Sequence, residues 1–398
     1  MKKLLILGGN EKSIGVIEKA KERGYYTILC DQDENVITRK MVDKFYPVSV
    51  MDEEEVYKVA VNEKVDGIVS YASDRIALVV AKLANRLNLP SNPWKSVEIL
   101  IKKDLFRKFL KDNNFNVPKA VSFTELNEDI KDEINKMKFP VMVKPTDSAG
   151  STGVEKIEDI DELEKAFNNA IVNSQSQKVI VEEYIEMDHE CMIAGDAFVY
   201  NGKVEVYGLL NSHRKIKQHP FIPTGTSYPF QLKDKENEVK ETVQRLVDIL
   251  KIKQGPLNLE LMYNKQGKLY IIEIAPRNGG NKIPEFINKV MGVDLLDALV
   301  ATSVGDEPIL KLHINYDYAT TYVLHSLKEG IFNGLEVSDE IKENIIDKSM
   351  YIEKGEKVKS FDRANKAIGI LFLKFDTQDE EKEKLEKMEE LVKIKLDG

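Results

Sequence analysis

The sequence predicts an α/β protein with a parallel, Rossmann-like N-terminal lobe followed by lobes rich in long antiparallel strands. Three observations carry this. The first ninety residues alternate short apolar runs with helical periodicity, the pattern of βαβ units in a parallel sheet. Beyond residue 190 the apolar runs lengthen and pair across turns. At 398 residues the chain exceeds one ordinary domain and divides into lobes, while 42% hydrophobic and 31% charged residues are proportions of a folded chain.

In chain order, residues 4–7 and 26–30 read as strands, 15–23 as a helix, 67–70 as a strand and 76–87 as a helix. Gly8, Gly9 and Gly15, with Asp31 after the second strand, resemble a dinucleotide site but lack a clean GxGxxG. The breaker cluster from Pro90 to Trp94 ends this first domain, drawn over 1–94, and Ser96 is placed to cap the next helix. Residues 96–114 carry Val97, Leu100, Ile101, Leu105, Phe109 and Leu110 on one stripe, which predicts a single linking helix within 95–117. A small lobe over 118–185 has strands at 140–145 and 178–182 and a helix at 161–169; a larger one over 186–310 has long strands at 191–210 and 258–274. The tail, 311–398, is expected to be an α/β extension packing on that lobe, with strands at 320–324 and 367–375 and a solvated charged helix at 379–395.

Composition excludes several classes of function. A net charge of −9, from 58 Lys and Arg against 67 Asp and Glu, gives no support to nucleic-acid or membrane-surface binding. The apolar stretch after Lys3 is too short for a secretory signal, and no run approaches the ~20 apolar residues that span a bilayer. Cys30 and Cys191 form no motif, so a cytoplasmic chain with buried thiols is expected. The five histidines have no metal-site spacing, which leaves oxygen ligands for any metal.

The most informative stretch is 257–280, which reads as a β-hairpin turning at 264–268. With Gln266 and Gly267 at its centre, Glu260 faces Glu273, with Cβ atoms ~5 Å apart, and two like charges there call for an offsetting cation. Mg²⁺ suits two carboxylates and open positions for phosphate oxygens. Arg277 comes next, able to grip phosphate in fork geometry, and then Asn278, Gly279 and Gly280. The plainer alternative is two solvated edge carboxylates, one paired with Arg277. Upstream, Lys144 leads from a strand into a loop containing Ser148, Gly150, Ser151 and Gly153, whose backbone N–H groups can cradle phosphate, although it is no Walker A loop and a simple turn fits too. Glu182, Glu183, Tyr184 and Ile185, with Glu190 beyond, offer an extended backbone for an adenine edge and an acid for ribose hydroxyls, or merely a charged strand end.

Taken together and in this order, the motifs resemble the ATP-grasp superfamily over roughly residues 1–310, nearest its carbamoyl-phosphate-synthase-like and carboxylate–amine ligase branch. The residues that carry the resemblance are 103–107 (Lys-Asp-Leu-Phe-Arg), 139–145, 148–154, 181–185 with Glu190, and the Glu260, Glu273, Arg277 hairpin. It implies an ATP-grasp fold with a Rossmann-like preATP-grasp domain, a lid subdomain over 118–185 and a catalytic subdomain over 186–310. ATP would lie between these lobes, with Lys103 and Lys144 on its phosphates, Ser148, Gly150, Ser151 and Gly153 in a covering loop, and Glu182, Glu183, Tyr184, Ile185 and Glu190 around adenosine. Glu260 and Glu273 would hold Mg²⁺, or Mn²⁺ in its place, and Arg277 with Lys144 would serve the phosphoryl transfer. The implied chemistry is carboxylate activation as an acyl phosphate, capture by an amine, and release of ADP and phosphate. Small-molecule acid and amine are the implied partners, a homodimer is compatible, and Asp74, Arg214, Asn278 and Gly279 are candidate substrate contacts. One departure stands out: many members carry Asn where this chain has Ala275, which leaves one or two metal ions open and makes a non-catalytic ATP-binding regulator the alternative. A biotin carboxylase is disfavoured by Asn278-Gly279-Gly280 after Arg277, and a nicotinamide-dependent enzyme leaves the glutamate pair unexplained.

Overall fold

The computed structural model describes residues 1–397. The N-terminal lobe is a four-stranded parallel sheet in the order Lys44–Tyr46, Tyr26–Cys30, Lys3–Leu7, Gly67–Val69. Alternation along the first strand sends Leu4 and Ile6 to one face and Leu5 and Leu7 to the other. Helices Glu53–Glu63 and Asp74–Arg86 cover the second face. The first is covered by helix Ile14–Glu22 and by a helix from far along the chain, Leu295–Ser303. That helix approaches so closely that a Cβ on Gly67 would lie 2.1 Å from the Ser303 carbonyl oxygen. The Gly8–Gly9 turn serves packing as well: the Gly9 N–H donates to Asp31 at 2.8 Å, and a Cβ on Gly9 would meet the Thr38 hydroxyl at 2.6 Å.

The linking segment is two helices, Trp94–Ile101 and Lys103–Asp112, rather than the one predicted over 96–114. Lys102 is extended (φ −90°, ψ 111°), and the break frees the Lys103 N–H to donate to Thr146 O at 2.9 Å, which pins the helix start to the lid. Ser96 does not cap a helix; it lies inside the first one and donates its hydroxyl to Leu250 O at 2.6 Å.

The lid is an antiparallel sheet in the order Ala120–Phe123, Val179–Glu183, Val141–Pro145, Glu155–Ile157, backed by helices Glu128–Asn135 and Leu163–Val172. Beside it, an eight-stranded antiparallel sheet runs Leu269–Ala275, Gln254–Tyr263, Met192–Tyr200, Lys203–His213, Gly225–Tyr228, Tyr318–Leu324, Gly369–Phe375, Ile345–Met350. Helix Glu236–Leu250 packs on one face through Val239, Val243 and Leu246, and helix Ile283–Met291 on the other through Phe286 and Ile287.

The tail differs from its expected form in two ways. Three of its strands continue the central sheet itself, through Tyr318–Leu324 against Gly225–Tyr228, so it extends the lobe edge to edge. The charged segment is two helices, Gln378–Glu386 and Met388–Leu391, and Val392–Asp397 is a strand paired with Gly330–Val337. Val392, Ile394 and Leu396 alternate with lysines and face the core, a period-two pattern that Glu/Lys-rich composition hides. Among the described residues no helix is long and apolar enough to cross a membrane.

Candidate active site

The hairpin of strands Gln254–Tyr263 and Leu269–Ala275 pairs Glu260 with Glu273, but not by uniform register. Near the turn Tyr263 pairs with Leu269 and Leu261 with Ile271, so the turn centres on Gln266 instead of between Gln266 and Gly267. That register alone would set the glutamates one residue out of step. Ile272 is bulged out of the ladder, and past it Glu260 meets Glu273 and Asn258 meets Ala275. Leu269–Ala275 is the edge strand of its sheet, and at the bulge Arg107 donates to its carbonyls: Nη2 to Ile272 O at 2.8 Å and Nη1 to Ile271 O at 3.4 Å.

Arg107 also ties the lid to the hairpin. Its Nε donates to Glu182 at 2.8 Å, and the second Glu182 oxygen accepts from Lys144 Nζ at 2.7 Å. Arg107 and Glu182 side chains are only 5% and 3% exposed, so the three charges form a buried ion triad. Burial alone would raise the Glu182 carboxyl; the adjacent Arg107 and Lys144 charges hold it down at about 2. The carboxylate of Glu182 is therefore engaged within the protein, and only as part of the cavity wall does it face a nucleotide. Lys103 reaches the covering loop, donating Nζ to Ser148 O at 2.6 Å, and Ser148 Oγ closes the loop onto Thr152 O at 2.8 Å. Ser151 Oγ donates across the cleft to Phe221 O at 3.1 Å.

Two cavities meet at the glutamate pair. One, of about 270 Å³, is lined by Lys103, Lys144, Ser148, Gly150, Ser151, Glu182, Glu183, Tyr184, Ile185, Glu190, Arg214, Glu260 and Glu273. Its apolar lining includes Met142, Met192 and Met262, none of them singled out as a site residue in the sequence; the available signal is strand alternation, since Met142 shares a face with Lys144 and Met262 with Glu260, two positions away in each case. The other, of about 330 Å³, also contains Gly150, Ser151, Glu260 and Glu273, and adds Asn258 and Arg277. Gly153 lines neither; it is a packing glycine, since a Cβ there would lie 2.9 Å from both Asn173 and Pro145.

Arg277 is held on two sides, by Asp74 (Nε to Oδ1, 2.7 Å) and by Asn258 (Nη1 to Oδ1, 2.9 Å). Burial works against its charge, but Asp74 and the nearby Glu273 keep it firmly protonated. Asp74, expected to meet substrate, thus orients the arginine. Asn278 and Gly279, also expected at the substrate, have structural partners instead: Asn278 joins lobes by donating to Tyr71 O at 3.1 Å, and within the central lobe the Gly279 N–H donates to both oxygens of buried Asp196 at 2.9 and 2.8 Å. Burial raises the Asp196 carboxyl to about 7 against those donors. Arg214 donates Nη2 to Glu260 at 3.0 Å, while its Nε is buried with no partner.

The chemistry of these donors fits a divalent cation with phosphate oxygens. Burial raises the Glu273 carboxyl, opposed by Lys103 and Arg277 and reinforced by Asp74 and Glu260, so a cation between the glutamates would relieve a standing repulsion. Among the described residues no three His, Cys, Asp or Glu side chains form a metal-competent cluster, so the pair stands without a third carboxylate. The amide absent at Ala275 is present directly across the ladder as Asn258, on the same strand face as Glu260.

Comparison with known proteins gives the family. The ATP-grasp domain family matches residues 137–285, and the ATP-grasp N-terminal domain family matches 17–91, together more than half of the chain. The chain belongs to the ATP-grasp superfamily. The carbamoyl phosphate synthase large chain of Clostridium perfringens is 26% identical over 301 residues, which cover 74% of this ATP-grasp chain and 27% of the relative. The chain therefore spans about a quarter of that relative's length. Among solved structures, the L-amino acid ligase of Bacillus licheniformis superposes with a TM-score of 0.84 at 20% identity, covering 100% of this chain and 99% of that one. The phosphoribosylglycinamide synthetase of Anaerococcus prevotii gives 0.77 at 22% identity, covering 100% of each. At these identities they attest the ATP-grasp fold.

Proposed function

We propose that the chain is an ADP-forming ligase that uses ATP and Mg²⁺, or Mn²⁺, to activate a small carboxylate as an acyl phosphate and join it to an amine. The observation that carries this reading is the Glu260–Glu273 pair standing where a cavity with two lysines and an apolar slot meets a second, separately lined cavity. A divalent ion held by the pair would offset the charge of the phosphates. The chain's own groups do the rest. Lys103 and Lys144 bring point charges to phosphate oxygens, and Met142, Met192 and Met262 form the slot for a flat base beside Tyr184 and Ile185, with Glu190 for ribose hydroxyls. Arg277, pre-oriented by Asp74 and Asn258, meets the charge on the transferring phosphoryl group at no reorganisation cost. The Ser151–Phe221 contact between loops keeps water from the acyl phosphate.

In the reaction a carboxylate oxygen bonds to the γ-phosphorus as the bond to ADP breaks; the amine then bonds to the acyl carbon and phosphate leaves. The likeness to an L-amino acid ligase of Bacillus licheniformis supports an amino acid or related acid as the activated group. The test is ADP release from Mg-ATP in a coupled assay against pooled amino acids, other small carboxylates, polyamines and ammonia. Release that needs both an acid and an amine is expected; nucleotide binding without release from any pool refutes the reading in favour of a regulator.

A further inference from the structure

The second cavity has a wall that neither matched domain supplies. Beyond Glu260 and Glu273 it is lined by Lys12, from the turn after the first strand, and by Arg363 and Asn365, from the C-terminal extension, with Thr226, Thr321 and Asn281 between. The extension loop is anchored by Phe361, which is fully buried and donates its N–H to Ser326 O at 2.9 Å. It also meets the covering loop, since a Cβ on Gly150 would lie 4.0 Å from that of Ala364. Three separate parts of the chain therefore enclose one space of about 330 Å³, the size of a small molecule.

The charges around that space are unevenly placed. Among the described residues its only lining carboxylates are Glu260 and Glu273, both shared with the nucleotide cavity. Of its three cations, Arg277 is engaged by Asp74. Lys12 has no carboxylate within ion-pair distance among the described residues; Arg363 has only its chain neighbour Asp362, at 3.5 Å, and Asp362 is bound more closely by Lys366, at 2.7 Å. Apart from the glutamates and Arg277, the lining thus carries two cations without strong partners and the side-chain amides of Asn281 and Asn365, which can donate to an anion, while the Thr226 and Thr321 hydroxyls bond each other.

We propose that the substrate of this cavity is an acid with a second anionic group, carboxylate or phosphate, at the end opposite the reacting one, and that Lys12 and Arg363 select it. This rests on the ligase reading for which end reacts, and its test does not require turnover. The 398-residue chain, with Mg²⁺ and a non-hydrolysable ATP analogue, is titrated calorimetrically with matched probes: glutamate against glutamine, succinate against butyrate, O-phosphoserine against serine. The charged member of at least one pair should bind tenfold or more tightly than its neutral partner, and glutamate against O-phosphoserine then tells carboxylate from phosphate. Lys12→Ala and Arg363→Ala should each reduce that preference severalfold, and Arg363→Glu should turn it toward lysine over norleucine, while retained nucleotide affinity shows each variant folded. Equal affinities within every pair, no binding by any charged probe, or a preference that survives Lys12→Ala with Arg363→Ala would overturn the proposal. A preserved charge preference without ADP release would count instead against the ligase reading.

Discussion

Arg107→Ala should be among the most damaging single changes in this protein, although Arg107 touches no ligand-facing surface of its own. The substitution leaves Glu182 buried with Lys144 as its only cation and strips the Ile271 and Ile272 carbonyls of their donors. Breaking a buried pair by removing one partner costs about 3–5 kcal/mol. The depression of the Glu182 carboxyl from 4.5 to about 2 corresponds to about 3 kcal/mol of preference for the charged form, which agrees in scale. At roughly 2–4 °C per kcal/mol for a unit of this size, the melting temperature should fall by about 10 °C in scanning calorimetry. Because the bulge at Ile272 sets Glu260 opposite Glu273, Mg²⁺-dependent nucleotide affinity should fall as well. The double variant Arg107→Met with Glu182→Met removes both charges and should recover part of the loss, so a double-mutant cycle should give a coupling energy of about 2 kcal/mol or more. A melting temperature within about 2 °C of the parent for Arg107→Ala, or strict additivity in the cycle, would refute the argument that this triad holds lid and hairpin together.

Other consequences are equally open to measurement. Glu273→Gln should abolish Mg²⁺-dependent ADP release from a folded protein, and near-normal release would sink the metal assignment. Lys144→Ala should weaken ATP binding about tenfold or more by calorimetry, with a smaller salt dependence than the parent; an unchanged affinity would remove Lys144 from the nucleotide site. The Glu182 carboxyl is held low in the folded state, so its stabilisation is complete above about pH 4.5 and is lost as pH falls toward about 2. Acid unfolding should therefore begin at higher pH in Arg107→Ala than in the parent, and coincident acid limbs by circular dichroism would contradict this.

The hairpin shows why the local reading succeeded and where it was fortunate. Two strands a short turn apart constrain each other through period-two alternation, so Glu260 and Glu273 had to meet or miss by one residue. They meet because two offsets cancel, a turn centred on Gln266 and a bulge at Ile272, and the bulge is held by an arginine about 165 residues away. The helix break at Lys102 and the terminal strand Val392–Asp397 leave no local signal because each depends on a distant partner, Thr146 in one case and Gly330–Val337 in the other.

Lys103, Lys144, the 148–151 loop, the 182–185 segment and the glutamate pair were all legible in the amino-acid order, because each is a short motif whose spacing acts through neighbouring residues. Assigning partners to the charges required the folded chain. Asp74 resembles a substrate contact until Arg277 is seen beside it, and Glu182 a nucleotide contact until Arg107 and Lys144 enclose it. Asn258 lies opposite Ala275 and beside Arg277 only across a ladder, and Arg363 reaches the second cavity only because the C-terminal strands continue the central sheet. Local spacing says which chemistry a residue can offer; which charges neutralise one another depends on through-space distances of a few ångströms between segments hundreds of residues apart, and these exist only once the lobes have packed.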